Sequence, residues 1–359
     1  MMADFSNIAR SILGRLNREV VPKVEKNGQR AAQFIEKVEA ALPRGPFGYS
    51  ISFIHCGSAY EGLAVKANTD FDIVVMLNAP FESENFSVRR DPSGFFTLKW
   101  KSHISNQLAS DCNGFLDASK LRQDLFSIIG RGIQNVRIPN AEIKHREQLV
   151  ALTVEITYAT GDIVMMDFVP QIVFRTWGQC PDLRPLHELP KCLRAYIDTL
   201  NKNKSPIMFF SLKVPDVHKY PNSDQLFNVS FGLLEKKFLA SNVQLRDMVR
   251  LVKLTAHARN WKKQYKFQSV FVKRIAVKYS DSLKDKTLVE GYKAILCYLA
   301  EEVKRGFIDD YFIKDKEIYR WEPRVASNFH REIAHITEGN FIEALLLLEK
   351  NFTEFAYSK

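Results

Sequence analysis

Three acidic residues lie at positions where an ionised carboxylate needs a partner. Asp70 and Asp72 are two residues apart at the start of a predicted strand, so their side chains point to the same side. Asp167 lies within Ile163–Val169, whose other residues are apolar, and burial of an unpaired charge there is unfavourable. Three such carboxylates can hold two divalent cations, about 3.5–4 Å apart, that clamp the attacking and leaving oxygens of a phosphoryl transfer.

A glycine–serine pair could supply the phosphate-binding part of such a site. Gly57 and Ser58 follow a predicted strand and begin a short predicted helix. Glycine lets backbone N–H groups approach a phosphate closely, and the serine hydroxyl adds a donor. The pair alone has little weight, because this dipeptide is common in proteins. Two further acids, Glu155 and Asp162, are weaker candidates because both are expected to face water.

The elements that must position these residues are strands in the first half of the chain and helices in the second. A long helix is predicted over residues 4–41, with a kink near Pro22 because proline lacks the donor of an interior turn. The predicted strands and one hairpin cover residues 49–56, 70–77, 85–101, 148–158, 162–169 and 207–214. The predicted helices cover residues 117–134, 229–240, 244–264, 269–280, 286–304, 325–337 and 340–356. This order predicts a bilobal α+β fold, in which a strand-rich lobe at residues 1–200 precedes a mainly helical lobe at residues 201–359.

The net charge of the chain is concentrated in one segment. The 359 residues include 51 Lys and Arg against 41 Asp and Glu, a net charge of +10 that favours an anionic partner. Residues 246–286 hold twelve basic and three acidic residues, a local net charge of +9. Four of these basic residues have the spacing of one helix face, namely Arg259, Lys262, Lys263 and Lys266. They predict a polyanion site, although a solvated helix face is an equally good interpretation of the stripe alone.

Several classes of protein are disfavoured. No apolar run approaches the roughly 18–20 residues of a membrane span, and the N-terminus lacks the apolar core of a secretory signal. The five cysteines are widely spaced and include no C-x-x-C pair, so neither a disulfide framework nor a zinc ribbon is expected. These features predict a reduced, cytoplasmic protein.

The order of motifs resembles one particular family. The strand-rich lobe resembles the DNA polymerase β-like nucleotidyltransferases, because it combines a Gly-Ser turn, a D-x-D strand and a later strand aspartate. The resemblance implies the polymerase β-like nucleotidyltransferase fold for this lobe. His55–Gly62 followed by Thr69–Val75 resembles the cyclic GMP-AMP synthase-like receptors of the Mab-21 type. Later stretches extend the resemblance to about residue 280, namely Val229–Lys236, Arg250–Leu254 and Ser269–Lys273, and the N-terminal helix resembles the spine helix of that family.

The resemblance implies a sensor enzyme of innate antiviral defence. Double-stranded RNA or DNA would bind a basic groove and activate synthesis of a cyclic dinucleotide from ATP and/or GTP with two Mg²⁺ or Mn²⁺ ions. By motif position, Asp70, Asp72 and Asp167 would be the catalytic metal ligands, with Asp167 accepting the proton of the attacking hydroxyl. The residues implied for nucleotide binding are Gly57, Ser58, Lys253 and Ser269, with Glu235 and Lys273 as weaker candidates. Those implied for the nucleic-acid groove are Arg259, Lys262, Lys263, Lys266, Lys23 and Lys26, and an oligomer on nucleic acid is a further implied assembly.

Departures from the family pattern leave alternatives open. Residues 238–247 contain no Cys or His where vertebrate members have a zinc insertion, so no zinc is expected, and this invertebrate-type feature favours RNA as the activator. Val270 replaces a base-stacking aromatic residue and Asn228 replaces an arginine, which leaves base identity and linkage of the product open. The alternatives are a catalytically inactive Mab-21-like scaffold that binds a nucleotide or a protein, and an RNA-activated synthetase of linear oligonucleotides.

Overall fold

The computed structural model describes residues 2–43, 51–67, 70–101, 109–212, 220, 222–338 and 341–357. Within these ranges no helix is both long enough and apolar enough to cross a lipid bilayer. Residues 49–50 and 213–214 of two predicted strands, Asn340 of a predicted helix, and Thr69, which precedes the D-x-D motif, lie outside the described residues. The mixed sheet and the helix-rich C-terminal region of the structure confirm the predicted α+β class.

A mixed sheet of seven strands forms the centre of the first half. The strands of the molecule are β1 (Ile51–Cys56), β2 (Phe71–Leu77), β3 (Phe86–Arg90), β4 (Phe96–Trp100), β5 (Ala141–Glu147), β6 (Leu152–Tyr158), β7 (Ile163–Phe174), β8 (Met208–Ser211), β9 (Asn228–Ser230), β10 (Phe307–Asp309) and β11 (Glu317–Arg320). The sheet has the order β1-β2-β7-β6-β5, with β8 paired to β7 and β9 paired to β8, while β3–β4 and β10–β11 form separate hairpins. Because β8 and β9 join it, the sheet continues past residue 200.

Strands β2 and β7 are neighbouring inner strands of this sheet, and they run parallel to each other. Side chains of β2 are buried on both faces, since Phe71 and Ile73 face the main core while Val74 packs in a second cluster with Phe209 and Leu233. Burial on both faces explains why the sequence of β2 is a nearly continuous apolar run. A polar side chain on such a strand needs a specific partner or function.

The N-terminal helix changes its hydrogen-bond pattern just before Pro22. It consists of α1 (Met2–Arg15), a π-helical turn (Leu16–Val20) and α2 (Val21–Ala41). The proline lacks an amide donor, so the backbone bonds are rearranged around it and the N–H of Val21 bonds to the carbonyl of Leu16. The kink predicted from the sequence is therefore this π-helical turn.

Helices dominate the second half, but the predicted helices over residues 244–264 and 340–356 are each divided in two. The remaining helices are α3 (Gly57–Tyr60), α4 (Ala118–Gln134), α5 (Lys191–Lys202), α6 (Gly232–Ala240), α7 (Val243–Ala258), α8 (Trp261–Tyr265), α9 (Ser269–Lys278), α10 (Ser280–Leu283), α11 (Leu288–Arg305), α12 (Pro323–Glu338), α13 (Phe341–Lys350) and α14 (Phe352–Tyr357). The prediction of one helix over residues 244–264 was wrong. Asn260 has a left-handed backbone (φ +54°) that ends α7 and separates it from α8.

Candidate active site

Two of the three predicted carboxylates lie side by side. Asp72 of β2 and Asp167 of β7 are direct register partners across the parallel strand pair. Met166 and Phe168 are buried on one face of β7, which places Asp167 on the opposite face. The hydroxyl of Thr153, its register partner on β6, donates a hydrogen bond of 2.5 Å to Asp167 Oδ1 and fixes that carboxylate. Thr153 had no sequence signal beyond its place in an alternating strand.

The pKa values of two acids reflect their burial and mutual repulsion. Burial, followed by the charge of Asp167, raises the pKa of Asp72 to about 6. The same two causes raise the pKa of Asp70, which lies just before β2. A divalent cation would relieve this repulsion, and carboxylate oxygens are suitable ligands for Mg²⁺ or Mn²⁺. Across the described residues, however, no three His, Cys, Asp or Glu side chains form a metal site by themselves, so further ligands would have to come from substrate or water.

Gly57 is required by the position of Asp72. Its backbone is left-handed (φ +79°), and a Cβ atom built on it would lie 1.8 Å from Asp72 Oδ2. Only glycine combines this backbone conformation with so close an approach of the carboxylate. The Gly-Ser turn and the acidic pair are therefore in direct contact, as expected if one substrate is to touch both.

Lys253 links the Gly-Ser turn to α7. Its Nζ donates hydrogen bonds to Ser58 Oγ, 2.8 Å away, and to the carbonyl of Leu63, 2.7 Å away. Burial, and then the positive charge of Lys273, lowers the pKa of Lys253 to about 7. An anion bound beside this ammonium group would restore its charged form. The arrangement suits a phosphate held jointly by Ser58 and Lys253.

A cavity of about 620 Å³ opens next to Lys253. Its lining residues are Val65, Lys66, Lys253, Ala256, His257, Lys262, Lys266, Phe267, Gln268 and Ser269. The structure thus brings Ser269 to the same cavity as Lys253. It also places there Lys262 and Lys266, which the sequence assigned to a nucleic-acid groove. Lys66 was missed by sequence reasoning, and its only signal was a position between the Gly-Ser pair and Asp70.

Glu235 and Lys273 have partners within the protein. Buried Glu235 pairs with Arg274, with 2.8 Å between Oε1 and Nε, and Arg274 also contacts Asp310. Lys273 Nζ lies 3.1 Å from Oε2 of buried Glu61. Burial lowers the pKa of Lys273, but Glu61 and Glu235 outweigh burial and raise it overall. These contacts join α6 and α9, while nucleotide binding by either residue stays a prediction.

The predicted basic helix face does not form. Arg259 follows the end of α7, and its Nη1 lies 3.7 Å from Glu332 Oε1 of α12. Asn260 and Lys266, both with left-handed backbones, bound the short helix α8 between them. The prediction that Arg259, Lys262, Lys263 and Lys266 share one helix face was therefore wrong, because the helix breaks within the stripe. Lys263 is exposed and does not line the cavity.

The two lysines predicted on the spine helix also make internal contacts. Lys23 Nζ lies 4.1 Å from the ring centroid of Tyr357, a cation–π contact. Lys26 Nζ lies 3.2 Å from Asp162 Oδ2, and Arg30 contacts the same oxygen at 2.8 Å. Asp162 therefore ties α2 to the β6–β7 turn, and nucleic-acid binding by these lysines stays a prediction.

The mixed sheet, with two adjacent carboxylates and a contacting Gly-Ser turn, is consistent with a nucleotidyltransferase domain. Residues 59–241, just over half of the chain, match the family model described as the Mab-21 protein nucleotidyltransferase domain. The protein belongs to this Mab-21 nucleotidyltransferase family. The matched segment contains all three predicted acids and ends before Lys253. Among the curated proteins no significant match was found.

Proposed function

We propose that this protein makes a cyclic dinucleotide from ATP and/or GTP and that double-stranded RNA activates it. The observation that carries the proposal is the contact set around Asp72, which joins Asp167 across the sheet and Gly57 across the turn. A phosphoryl-transfer site needs acidic side chains and hydrogen-bond donors to phosphate on one surface. This contact set places the acids beside the Gly-Ser turn, which can supply such donors. The proposed setting is innate antiviral sensing in the cytoplasm, with possible products including cyclic GMP-AMP.

Each residue has a proposed role in the reaction. Ser58 and Lys253 bind the triphosphate of the donor nucleotide, and Ser269 binds at the same cavity. Asp167, oriented by Thr153, accepts the proton of the attacking hydroxyl. Asp70, Asp72 and Asp167 would hold two Mg²⁺ or Mn²⁺ ions, which supply charge neutralisation at the transferred phosphoryl group. Binding of the nucleotide would desolvate the site further and strengthen these interactions.

Product analysis tests this proposal. The purified chain is incubated with radiolabelled ATP and GTP and with Mg²⁺ or Mn²⁺, alone or with long double-stranded RNA or DNA. We expect a phosphatase-resistant dinucleotide that depends on RNA and is lost, by at least about 100-fold, in Asp167→Asn. Glu155→Gln, on the adjacent strand β6, is the matched control and should keep its activity.

Other outcomes would replace the proposal. A ladder of linear oligomers would indicate a linear oligonucleotide synthetase. Stimulation by DNA alone would overturn the choice of activator. Absence of product with every activator, together with identical behaviour of Asp167→Asn and the wild type, would indicate a scaffold without catalysis.

A further inference from the structure

The cavity beside Lys253 contains more positive charge than one phosphate contact requires. Lys66, from the loop after α3, and Lys262 and Lys266, from the α8 segment, line it together with Lys253. Among the described lining residues there is no carboxylate. Four lysines from three separate segments therefore face one concave space, and an anionic ligand would compensate them.

The backbone around α8 is strained where it presents two of these lysines. Asn260 (φ +54°) and Lys266 (φ +56°) adopt the left-handed conformation, which L residues rarely adopt. Strain of this kind is common at ligand sites. The two left-handed positions bound the five-residue helix α8, so that Lys262 on the helix and Lys266 directly after it both reach the edge of the cavity.

The cavity lysines differ from their neighbours in the same basic segment. Lys273 and Lys278, on α9, pair with Glu61 and Glu302. Burial, followed by the charge of Lys262, instead lowers the pKa of Lys66. Lys66 and Lys262 thus repel each other, with only a smaller opposing effect from Asp70, whereas the lysines of α9 have carboxylate partners. An anion in the cavity would remove that repulsion.

We propose that Lys66, Lys262 and Lys266 form a subsite for the terminal phosphates of a linear triphosphate whose first phosphates lie at Ser58 and Lys253. The inference rests on the proposed nucleotidyltransferase function and extends it, because the cavity then selects triphosphates over diphosphates and monophosphates. It also assigns Lys262 and Lys266 to the substrate rather than to an activator groove. A cavity of about 620 Å³ has the size of a small-ligand site, whereas a nucleic-acid duplex needs an open surface.

Binding of inorganic phosphates tests the subsite without any turnover. Tripolyphosphate, pyrophosphate and orthophosphate are titrated calorimetrically into the full chain, as wild type, as Lys66→Gln and as the double variant Lys262→Gln/Lys266→Gln. The matched control is Lys263→Gln/Lys284→Gln, which removes the same charge from two exposed lysines outside the cavity. We expect the cavity double variant to lose about tenfold or more in tripolyphosphate affinity, since charge-assisted hydrogen bonds are lost. Lys66→Gln should also weaken it, and the control should bind like the wild type.

Comparison of ligands identifies the length of phosphate chain that the subsite binds. Orthophosphate affinity should be unchanged in all variants, and ATP, but not AMP, should displace tripolyphosphate from the wild type. Equal losses in the control and cavity variants, no binding of tripolyphosphate, or no displacement by ATP would overturn the inference. So would a selective loss of duplex RNA binding in the cavity variant with unchanged tripolyphosphate affinity. A failure to make dinucleotide would reject the proposed function without altering these binding results.

Discussion

At the scale of single residues, Gly57 combines two requirements that the sequence shows only as a common dipeptide. Its backbone has positive φ, and the Asp72 carboxylate occupies the space of a Cβ atom. Gly161 has nearly the same conformation (φ +82°) but open space around it. The two glycines therefore separate the cost of backbone strain from the cost of displacing the Asp72 carboxylate.

Alanine substitution at both glycines should give different results. Gly161→Ala should lower the free energy of unfolding by about 1 kcal/mol through strain alone. Gly57→Ala should lower it by about 2 kcal/mol or more and reduce nucleotidyl transfer about 100-fold, because Asp72 must move. Urea unfolding and product formation measure the two effects. Equal behaviour of the two variants would show that Asp72 adjusts without consequence.

The raised pKa of Asp72 predicts a pH-dependent stability. Its carboxyl has a pKa of about 6 in the folded protein against 3.8 as the ordinary value, so folding favours the protonated form. The stability from this preference is fully present below the lower value and is lost as the pH rises through the higher one. At about pH 7.5, Asp72→Asn should therefore be more stable than the wild type by about 1–2 kcal/mol. Near pH 4 the two proteins should be equally stable.

Unfolding in urea with a chelator present, at both pH values, measures the difference for Asp72→Asn. Glu155→Gln removes one negative charge from β6, which is separated from β2 by β7, and should not reproduce the gain. Addition of Mn²⁺ should then stabilise the wild type more than Asp72→Asn, because a bound cation needs the carboxylate. A difference that does not change with pH would contradict the proposed repulsion between Asp72 and Asp167.

At the scale of elements, the sequence predicts the inner strands and the edge strand β1 well, but it misses the edge strands β5 and β9, the latter within a predicted helix over residues 229–240. Continuous apolar runs and alternation correctly indicated β2, β6 and β7, and with them the approach of Asp167 to Asp72. Strand β5 was missed because it lies at the sheet edge with mostly exposed, charged side chains. The short hairpin β10–β11 was missed for the similar reason that its partly exposed strands have no clear period. These strands are determined by backbone hydrogen bonds to a neighbouring strand, and such pairing leaves no periodic pattern of apolar residues in the sequence.

The break between α7 and α8 shows why the candidate site was only partly predictable. The spacing from Arg259 to Lys266 predicted basic side chains along one exposed helix face. That prediction assumed an unbroken helix through these residues. The left-handed backbone of Asn260 has no decisive signal in an asparagine, which also occurs in helices. This one residue moves Lys262 from a presumed groove to the cavity. Acids on central strands were thus predictable, whereas cationic side chains on helix ends were not.

At the scale of the whole molecule, much of the local charge excess is neutralised by distant acids. Within the part of the chain that the structure describes, five of the twelve basic residues in 246–286 pair with carboxylates, and most of these acids lie outside the segment. The pairs are Arg250–Asp247, Arg259–Glu332, Lys273–Glu61, Arg274–Glu235 and Lys278–Glu302. A net charge counted along the chain therefore overstates the basic surface that an activator would meet.

The spine helix offers a different test of activator binding, through Asp162. Hydrogen bonds from Arg30 and, to a smaller extent, from Lys26 lower the pKa of Asp162 to about 2. This acid therefore stays ionised at neutral pH and forms ion pairs with both Arg30 and Lys26. If RNA binds at Lys26, Asp162→Asn should strengthen that binding, because both cations become available to phosphates. We expect a few-fold higher affinity for duplex RNA and a log–log salt slope steeper by about 1. The free energy of unfolding should fall by less than about 1 kcal/mol, since the ion pairs are largely exposed.

Titrations of duplex RNA over a range of salt concentrations measure both quantities for Asp162→Asn. Glu188→Gln is the matched control, because it frees Arg184 from a similar surface ion pair that does not involve the spine helix. A steeper slope in Asp162→Asn alone would locate RNA phosphates at the spine helix. Equal slopes in the two variants would show that only overall charge has changed, and an unchanged slope would exclude Lys26 and Arg30 from the contact. Loss of catalytic activation by RNA in Asp162→Asn, with tighter RNA binding, would show that the link between α2 and the β6–β7 turn transmits binding to Asp167.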